Sequence, residues 1–392
     1  MSPPNAQGFA ASEDAMHEKA AAMTGLDDFG EPAYRVGLRT LLEALDENAN
    51  LSSGGRAIFQ GQIVNTLATR LRCEQRLKDH SGARGVSIRR PLVITGLVRT
   101  GSTALHYLLG QDPTLQKLEY WLSAQPQPRP PRDEWDSHPD FQRAEAELAF
   151  LYETAPSLMA VHEMHADWPE ECRHILAQNF TDDCFESAAT LPHYVDWYHR
   201  ESHRETYVRH RQLVQLIGST APDVRWLLKY PVHLRQLPAL FEVYPDACVV
   251  QTHRDPRTVL ASYTSFLAKI RAVHETRVDR EAIAAEQLEG WAGAADAGLA
   301  FRREHGDAQF FDLHFEEFMS DPIGSVQRIY RHFDHAWTPE AEAALERWHA
   351  AHPQGKHGRH DYAERDFGVG ESAILDRFAD YMEAFGMDTG SS

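Results

Sequence analysis

The chain has 392 residues, 42% of them hydrophobic and 25% charged, a composition typical of a folded globular protein. Its formal net charge of −19 argues against a general nucleic-acid binder and against acidic polymers as ligands, because a polyanion needs a basic surface. The chain has four cysteines, at Cys73, Cys172, Cys184 and Cys248. They lack the close spacing of a zinc site or a disulfide framework.

The N-terminal part of the chain indicates helices. Its first residues lack a basic start followed by an apolar run, and the longest apolar stretch, residues 91–98, is much shorter than a membrane span. We therefore expect a cytoplasmic protein without integral membrane association. Helical patterns occupy residues 34–45 and run from Ser52 or Ser53 to about Lys78. We expect residues 1–88 to be a helical extension packed on the rest of the chain.

Beyond residue 88, short apolar runs alternate with helical patterns. The predicted strands are 92–95, 224–228, 247–251 and 309–313, and the helices that follow them are 104–109, 233–243, 257–270 and 322–333. This alternation predicts an α/β domain over residues 89–392, a three-layer nucleotide-binding fold with a central parallel sheet. Residues 140–218 are interpreted as a helical insertion, and the proline-rich residues 124–139 as a surface loop. Ligands of such sheets bind at the carboxyl ends of the strands.

The turn after the first predicted strand, TGLVRTGST at residues 95–103, has the features of an anion site. Its glycines, the second of which is Gly101, let the backbone approach an anion closely, and the amides and dipole of the following helix attract negative charge. Arg99 adds a permanent charge. Hydroxyl donors are present at Thr100, Ser102 and Thr103. Ser102 stands where nucleoside-triphosphate loops have lysine. The alternative interpretation is a tight turn with a surface arginine.

A second basic group follows a later strand, in the sequence THRDPRTVLAS at residues 252–262. Arg254 stands at the tip of the predicted strand, Pro256 suits the first turn of a helix, and Ser262 lies further along that helix. If the helix runs along the crevice, Arg254 and Ser262 can hold one phosphate group. Alone, the pattern would be interpreted as solvated surface charge. Together with the first turn, it predicts two anion-binding elements at one edge of the sheet.

TGLVRTGST and THRDPRTVLAS resemble the two signatures with which sulfotransferases bind 3′-phosphoadenosine-5′-phosphosulfate (PAPS). The resemblance covers about residues 90–385 and is closest to the bacterial small-molecule branch. It implies in-line, metal-independent transfer of the sulfuryl group from PAPS to a hydroxyl or amine of a small molecule. It assigns the 3′-phosphate to Arg254 and Ser262. It assigns the 5′-phosphosulfate to Arg99, Thr100, Gly101, Ser102 and Thr103. The family commonly has lysine where this chain has Arg99. Arginine keeps the positive charge but, unlike lysine, cannot act as a proton donor.

Two further segments complete the predicted site. In WLLKYPVHL, residues 226–234, Lys229 ends a buried strand and His233 begins the next helix. The resemblance implies a lysine and a histidine beside the transferring group, although two extra residues separate them here. A histidine can take the acceptor proton near neutral pH, and Lys229 can stabilise charge on the leaving oxygen. Near the C-terminus, GKHGRHDY resembles a loop that closes over the nucleotide, with Lys356 and Arg359 as candidates. A solvated basic loop is the alternative.

Other interpretations stay open. Glu170, at a predicted helix start in WPEECRH, is the second candidate for the base. A kinase-like phosphotransferase could use the same first turn, but it would need the lysine that is absent and an aspartate for Mg²⁺. A catalytically inactive protein would bind PAPS or its product 3′,5′-bisphosphoadenosine (PAP) without turnover. The acidic balance favours a small, diffusible acceptor that is not strongly anionic.

Overall fold

The computed structural model describes residues 8–48, 50–154, 163–352 and 368–388. Within these residues, five strands form one parallel sheet: β1 (Leu92–Gly96), β2 (Leu115–Lys117), β3 (Arg225–Lys229), β4 (Cys248–His253) and β5 (Phe310–His314). The strand order across the sheet is β2-β3-β1-β4-β5. The central strand pairs Ile94 with Lys229 of β3 and Gly96 with Thr252 of β4, so the carboxyl ends of these three strands lie side by side.

Helices cover the sheet and fill the segments between the strands. The α-helices of the described residues are α1 (Glu13–Thr24), α2 (Tyr34–Glu47), α3 (Ser53–Asp79), α4 (Ser102–Leu109), α5 (Tyr120–Ala124), α6 (Pro139–Thr154), α7 (Arg173–Leu176), α8 (Cys184–Ala188), α9 (Pro192–Tyr198), α10 (Arg204–Ile217), α11 (Leu237–Val243), α12 (Pro256–His274), α13 (Arg280–His305), α14 (Phe315–Ser320), α15 (Pro322–His332), α16 (Pro339–Ala351), α17 (Glu371–Arg377) and α18 (Ala379–Ala384). Short 3₁₀ turns are Ala10–Ser12, Ser81–Gly85, Arg132–Ser137, Ala177–Asn179, Gly218–Thr220 and Pro231–Leu234.

The predicted α/β class with a central parallel sheet is confirmed, and the four predicted strands agree with β1, β3, β4 and β5 to within two residues. β2 was not predicted, because three residues are too short to carry a pattern. The predicted helix 233–243 is divided into the turn Pro231–Leu234 and α11. Pro238 accounts for the late start, since proline is favoured in the first turn of a helix and disfavoured in its interior.

The N-terminal helices share a core with the sheet. Leu41 of α2 and Leu67 of α3 are fully buried in the same apolar cluster as Val93 of β1 and Leu228 of β3. Near its start, α3 crosses α12 so closely that a Cβ atom at Gly55 would lie 2.0 Å from the His274 carbonyl oxygen. Only glycine permits this approach. The division into residues 1–88 and 89–392 stays a prediction.

The described helices include none whose length and apolar content would let it cross a bilayer.

Candidate active site

A cavity of about 730 Å³ opens at the carboxyl ends of β1, β3 and β4. Residues from the segments after four strands line one side of it. They are Arg99 and Gly101 to Thr103 after β1, Lys229 at the end of β3, Arg254 after β4 and Phe315 after β5. A second cavity, of about 620 Å³, lies at the amino ends of the strands beside Arg89 and Arg225. We place the candidate site in the first, because ligands of parallel sheets bind at the carboxyl ends.

The turn between β1 and α4 has a backbone shape that few residues adopt. Gly96, Arg99 and Gly101 all have positive φ, of 141°, 61° and 82°. A Cβ atom at Gly96 would lie 2.3 Å from the Thr252 carbonyl oxygen, so the turn leaves the sheet in close contact with β4. Arg99 adopts the left-handed region without being glycine, a strain that clusters at binding and catalytic sites. The turn leads into the first amides of α4, which have no intrahelical acceptors.

The two predicted anion-binding elements contact each other. Arg254 Nη1 donates to the carbonyl oxygen of Arg99 at 3.0 Å, and Arg99 Nε donates to Ser262 Oγ at 3.1 Å. The ring of Phe315 lies under the Arg254 guanidinium, 3.9 Å from its Cζ, in a cation–π contact. Burial lowers the pKa of Arg254, so an anion bound beside this guanidinium would stabilise its charge. The cavity therefore has two cationic side chains from different strand ends on one wall.

Two members of the predicted set do not line the cavity with their side chains. The Thr100 hydroxyl donates to the Leu97 carbonyl oxygen at 2.7 Å and lies 2.6 Å from Thr252 Oγ1, so it braces the turn against β4. Ser262 is buried behind Arg99 and accepts its hydrogen bond. Thr100 thus holds the shape of the turn, and Ser262 orients Arg99.

The buried side chain of Lys229 forms an ion pair with the partly exposed Glu171 at the end of β3. Lys229 Nζ donates to Glu171 Oε1 and, at 3.0 Å, to Thr103 Oγ1 in the first turn of α4. The segment that carries Glu171 is fixed on both sides, because the amide of Glu170 donates to the Leu118 carbonyl oxygen at 2.7 Å and that of Cys172 to the Lys229 carbonyl oxygen at 3.0 Å. The Lys229 ammonium therefore contacts both the Glu171 carboxylate and the turn that precedes α4.

Of the two neighbouring glutamates, only Glu171 is among the residues that line the cavity. Glu170, the residue that the sequence favoured, is 3% exposed, and its Oε1 accepts from the amide of Glu171 at 2.8 Å. Burial raises the pKa of Glu170. Glu170, the second candidate for the base, is thus buried, and its neighbour Glu171 is the carboxylate that faces the cavity.

Comparisons with known proteins agree with this geometry. The model of the sulfotransferase family matches residues 91–339. The chain belongs to the sulfotransferase family. Its structure is similar to that of sulfotransferase STF1 from Mycobacterium tuberculosis H37Rv, with 36% identity, a TM-score of 0.87 and coverage of 95% of this chain and 100% of that one. It is also similar to sulfotransferase STF9 from Mycobacterium avium, with 26% identity, a TM-score of 0.90 and coverage of 99% of both chains. No curated protein matches.

The predicted catalytic histidine of this sulfotransferase lies away from the cavity. His233 is fully buried in the turn after β3, and its Nδ1 pairs with the hydroxyl of Tyr207. The ring centroids of Tyr207, Tyr230 and His210 lie 5.6, 5.9 and 6.3 Å from its own. Burial lowers the pKa of His233 well below its usual value. A base must reach the proton that it removes, so we do not include His233 in the mechanism proposed below.

We expect His233→Gln to lower kcat less than about tenfold, whereas loss of a general base costs about 10²–10⁴-fold. The variant should also lose less stability on acidification. Because its folded pKa is depressed, His233 contributes stability above the unfolded pKa near 6.5, and that contribution is lost as the pH falls. Steady-state kinetics and thermal unfolding between pH 8 and about pH 5 test both points. A kcat loss of 10³ in a folded variant would restore His233 as the base.

The predicted closing loop with Lys356 and Arg359 lies outside the described residues. Within the ranges that the structure describes, no group of three or more His, Cys, Asp or Glu side chains is arranged to hold a metal ion. Metal independence of this sulfotransferase stays a prediction.

The sequence interpretation missed several residues of the sulfotransferase site. The Tyr230 hydroxyl donates to two buried carboxylates, Asp182 at 2.9 Å and Asp183, and Asp183 lines the cavity. Burial raises the pKa of both carboxyls. Phe315 had a usable signal, because it directly follows a predicted strand and so belongs to the binding edge. Asp183 had none, because the contact with Tyr230 joins positions 47 residues apart in the chain.

Proposed function

We propose that this sulfotransferase takes the sulfuryl group from PAPS and places it on a hydroxyl of a small-molecule acceptor, with Glu171 as general base. The observation that carries the proposal is the contact between Arg99 and Arg254. The two side chains belong to turns after different strands, yet they line one cavity. PAPS is an adenosine with a 5′-phosphosulfate and a 3′-phosphate on the same ribose, so it needs two anion-binding elements separated only by the width of the sugar ring.

The turn after β1 is suited to the 5′-phosphosulfate. Its amides, the hydroxyls of Ser102 and Thr103 and the guanidinium of Arg99 are donors for the phosphate and sulfate oxygens. Arg254, fixed by Phe315, is suited to the 3′-phosphate, since a guanidinium can bind a phosphate with two parallel hydrogen bonds. In this arrangement Thr100 and Ser262 act by shaping the turn and orienting Arg99.

The transfer requires one base and one stabiliser of the leaving group. The acceptor oxygen attacks sulfur, the bond between sulfur and the bridging oxygen of PAPS breaks, and PAP leaves with the electron pair. Glu171 takes the proton of the acceptor hydroxyl as the new O–S bond forms. Lys229, between Glu171 and Thr103, is in position to stabilise the charge that develops on the bridging oxygen. Arg99 remains charged throughout the transfer and also stabilises the charge on the bridging oxygen.

Nucleotide selectivity tests the proposal against a kinase-like function. PAP at 100 times its Kd should stabilise the protein by about 2.7 kcal/mol. Thermal unfolding with PAP, with Mg-ATP and without ligand measures this effect. We expect a clear rise in Tm with PAP. Stabilisation by Mg-ATP and none by PAP would overturn the proposal. Transfer from labelled PAPS in an acceptor screen separates an active enzyme from an inactive PAP-binding protein.

We expect Arg254→Ala to reduce the preference for PAPS over adenosine 5′-phosphosulfate, which lacks the 3′-phosphate. Hydrogen bonds to charged groups contribute about 1.5–3 kcal/mol each, so the loss of even one of them should lower kcat/KM for PAPS about 10- to 150-fold. The value for the donor without the 3′-phosphate should change little. Arg257→Ala is the matched control, because Arg257 lies three residues away and pairs with Asp255 and Glu371. Equal losses with both donors would contradict the role of Arg254.

A further inference from the structure

The half of the cavity beyond Lys229 lies between two helices that are distant in sequence. Gln62 and Thr66 of α3 line one wall, and Phe266 and Ile270 of α12 line another. α3 lies outside residues 91–339, the part that matches the family model. An N-terminal helix of this chain therefore contributes directly to the cavity that contains the candidate catalytic pair.

This half of the cavity is long. Its lining on α12 extends from Tyr263 to His274, which are eleven positions apart in the helix. At 1.5 Å per residue, this is a length of about 16 Å. Near His274 the two helices contact each other at Gly55, so the space between them ends beside this crossing. The space is therefore an elongated channel with the transfer site at one end.

The walls of the channel are mainly apolar. Phe185 and Ala188 of α8 face the same space as Phe266 and Ile270. The stripes continue toward the surface, because Ile58 lies one turn before Gln62 on α3 and Val273 lies one turn after Ile270 on α12. Ile58 is 37% exposed and Val273 is 56% exposed, among the few large apolar side chains of the described residues with such exposure.

Charge in the channel disfavours an anionic acceptor. Asp183 lines it, and Glu171 stands at its inner end. Of the cations that line the cavity, Arg99, Arg254 and Lys229 lie at the other end. Arg173 lies beside the buried carboxylate of Glu170, with its Nε 3.9 Å from Glu170 Oε1. An uncharged acceptor with an apolar chain and one hydroxyl group at its inner end fits both the apolar walls and the charges of the channel.

We infer that α3 and α12 form an acceptor channel for an elongated, uncharged alcohol, and that Gln62 and Thr66 determine acceptor specificity. The inference deepens the proposed function and rests on it. The hydroxyl of the alcohol meets Glu171 and Lys229, and its apolar body lies between the helices. The side chains of Gln62 and Thr66 set the width of the channel on the α3 side.

A series of primary alcohols, from butanol through octanol to dodecanol, tests the length and polarity of the channel. Each buried methylene group raises kcat/KM by about three- to fourfold while the channel has room. We expect octanol to exceed butanol on the order of 10²-fold. A flat profile across the series, or no turnover of any alcohol by a protein that PAP stabilises, would overturn the inference and leave the nucleotide proposal standing. Absence of stabilisation by PAP would instead refute the proposed function.

Variants of α3 test the residues. Gln62→Trp should narrow the channel and lower kcat/KM for dodecanol at least tenfold, while that for butanol stays within threefold. Gln60→Trp is the matched control, since Gln60 is exposed on the same helix and does not line the cavity. Thr66→Phe narrows the channel at a deeper position and should impair octanol as well. Retained Tm shifts with PAP show that each variant is folded. Equal effects of Gln62→Trp and Gln60→Trp, or equal losses for short and long alcohols, would refute the assignment.

Discussion

We expect Glu171→Gln to lower kcat by about 10²–10⁴, the range for loss of a general base. Glutamine keeps the size and the hydrogen-bonding oxygen of the side chain but cannot take the acceptor proton. The charge of the ion pair with Lys229 is lost, but the ammonium can still donate to the glutamine oxygen and to Thr103 Oγ1, so the apparent KM for PAPS should change far less than kcat. Steady-state kinetics with saturating donor and single-turnover rates measure the effect on chemistry.

Glu170→Gln is the control for this variant. The two glutamates are adjacent, but Glu170 is buried beside Arg173, whereas Glu171 faces the cavity. The Glu170→Gln enzyme should retain most of its kcat. If Glu170→Gln is the inactive variant and Glu171→Gln is active, the second candidate from the sequence, Glu170, is the base, and the assignment to Glu171 is wrong.

The second large effect is expected from Lys229→Met, which should lower kcat by about 10²–10³, equivalent to about 2.7–4 kcal/mol of transition-state stabilisation. Methionine fills a similar volume but cannot neutralise the charge that develops on the bridging oxygen. The loss should be smaller for a donor analogue with a better leaving group, because less charge then needs stabilising. Rates with PAPS and with such an analogue measure this difference.

Lys117→Met provides a matched comparison. Lys117 ends β2 as Lys229 ends β3, but its ammonium is hydrogen-bonded to the Gly110 carbonyl oxygen and does not line the cavity. This variant can lose stability but should keep its kcat. Similar kcat losses in both variants would show that the Lys229 effect comes from damage to the sheet edge.

The fold, and the clustering of the residues in the nucleotide half of the candidate site, could be predicted from local sequence. Buried strands are short apolar runs, and parallel strands place the residues after them at one edge. Arg99 and Arg254 could therefore be placed together, although 155 positions separate them. The same reasoning indicated Lys229, because that residue ends a strand.

The base and the acceptor channel that we propose could not be predicted in this way. Whether His233 or Glu171 faces the cavity depends on the rotation of a single 3₁₀ turn, Pro231–Leu234, and on the hydrogen bonds that fix residues 170–172. The role of Gln62 depends on the crossing of α3 with α12, about 200 residues away in the chain. Apolar periodicity shows that a helix has a buried face, but it does not show which distant helix packs against that face.

At position 99, the stability of the backbone favours glycine, whereas the proposed binding of an anion requires arginine. The left-handed conformation of Arg99 is one that glycine adopts freely and that costs other residues about 1–3 kcal/mol. A glycine there would relax the turn, but it would remove the guanidinium that we propose to bind the transferring group, and with it the contact with Ser262. Thermostability and turnover thus select for different residues at one position, and a screen for hardier variants of this enzyme would favour inactive ones there.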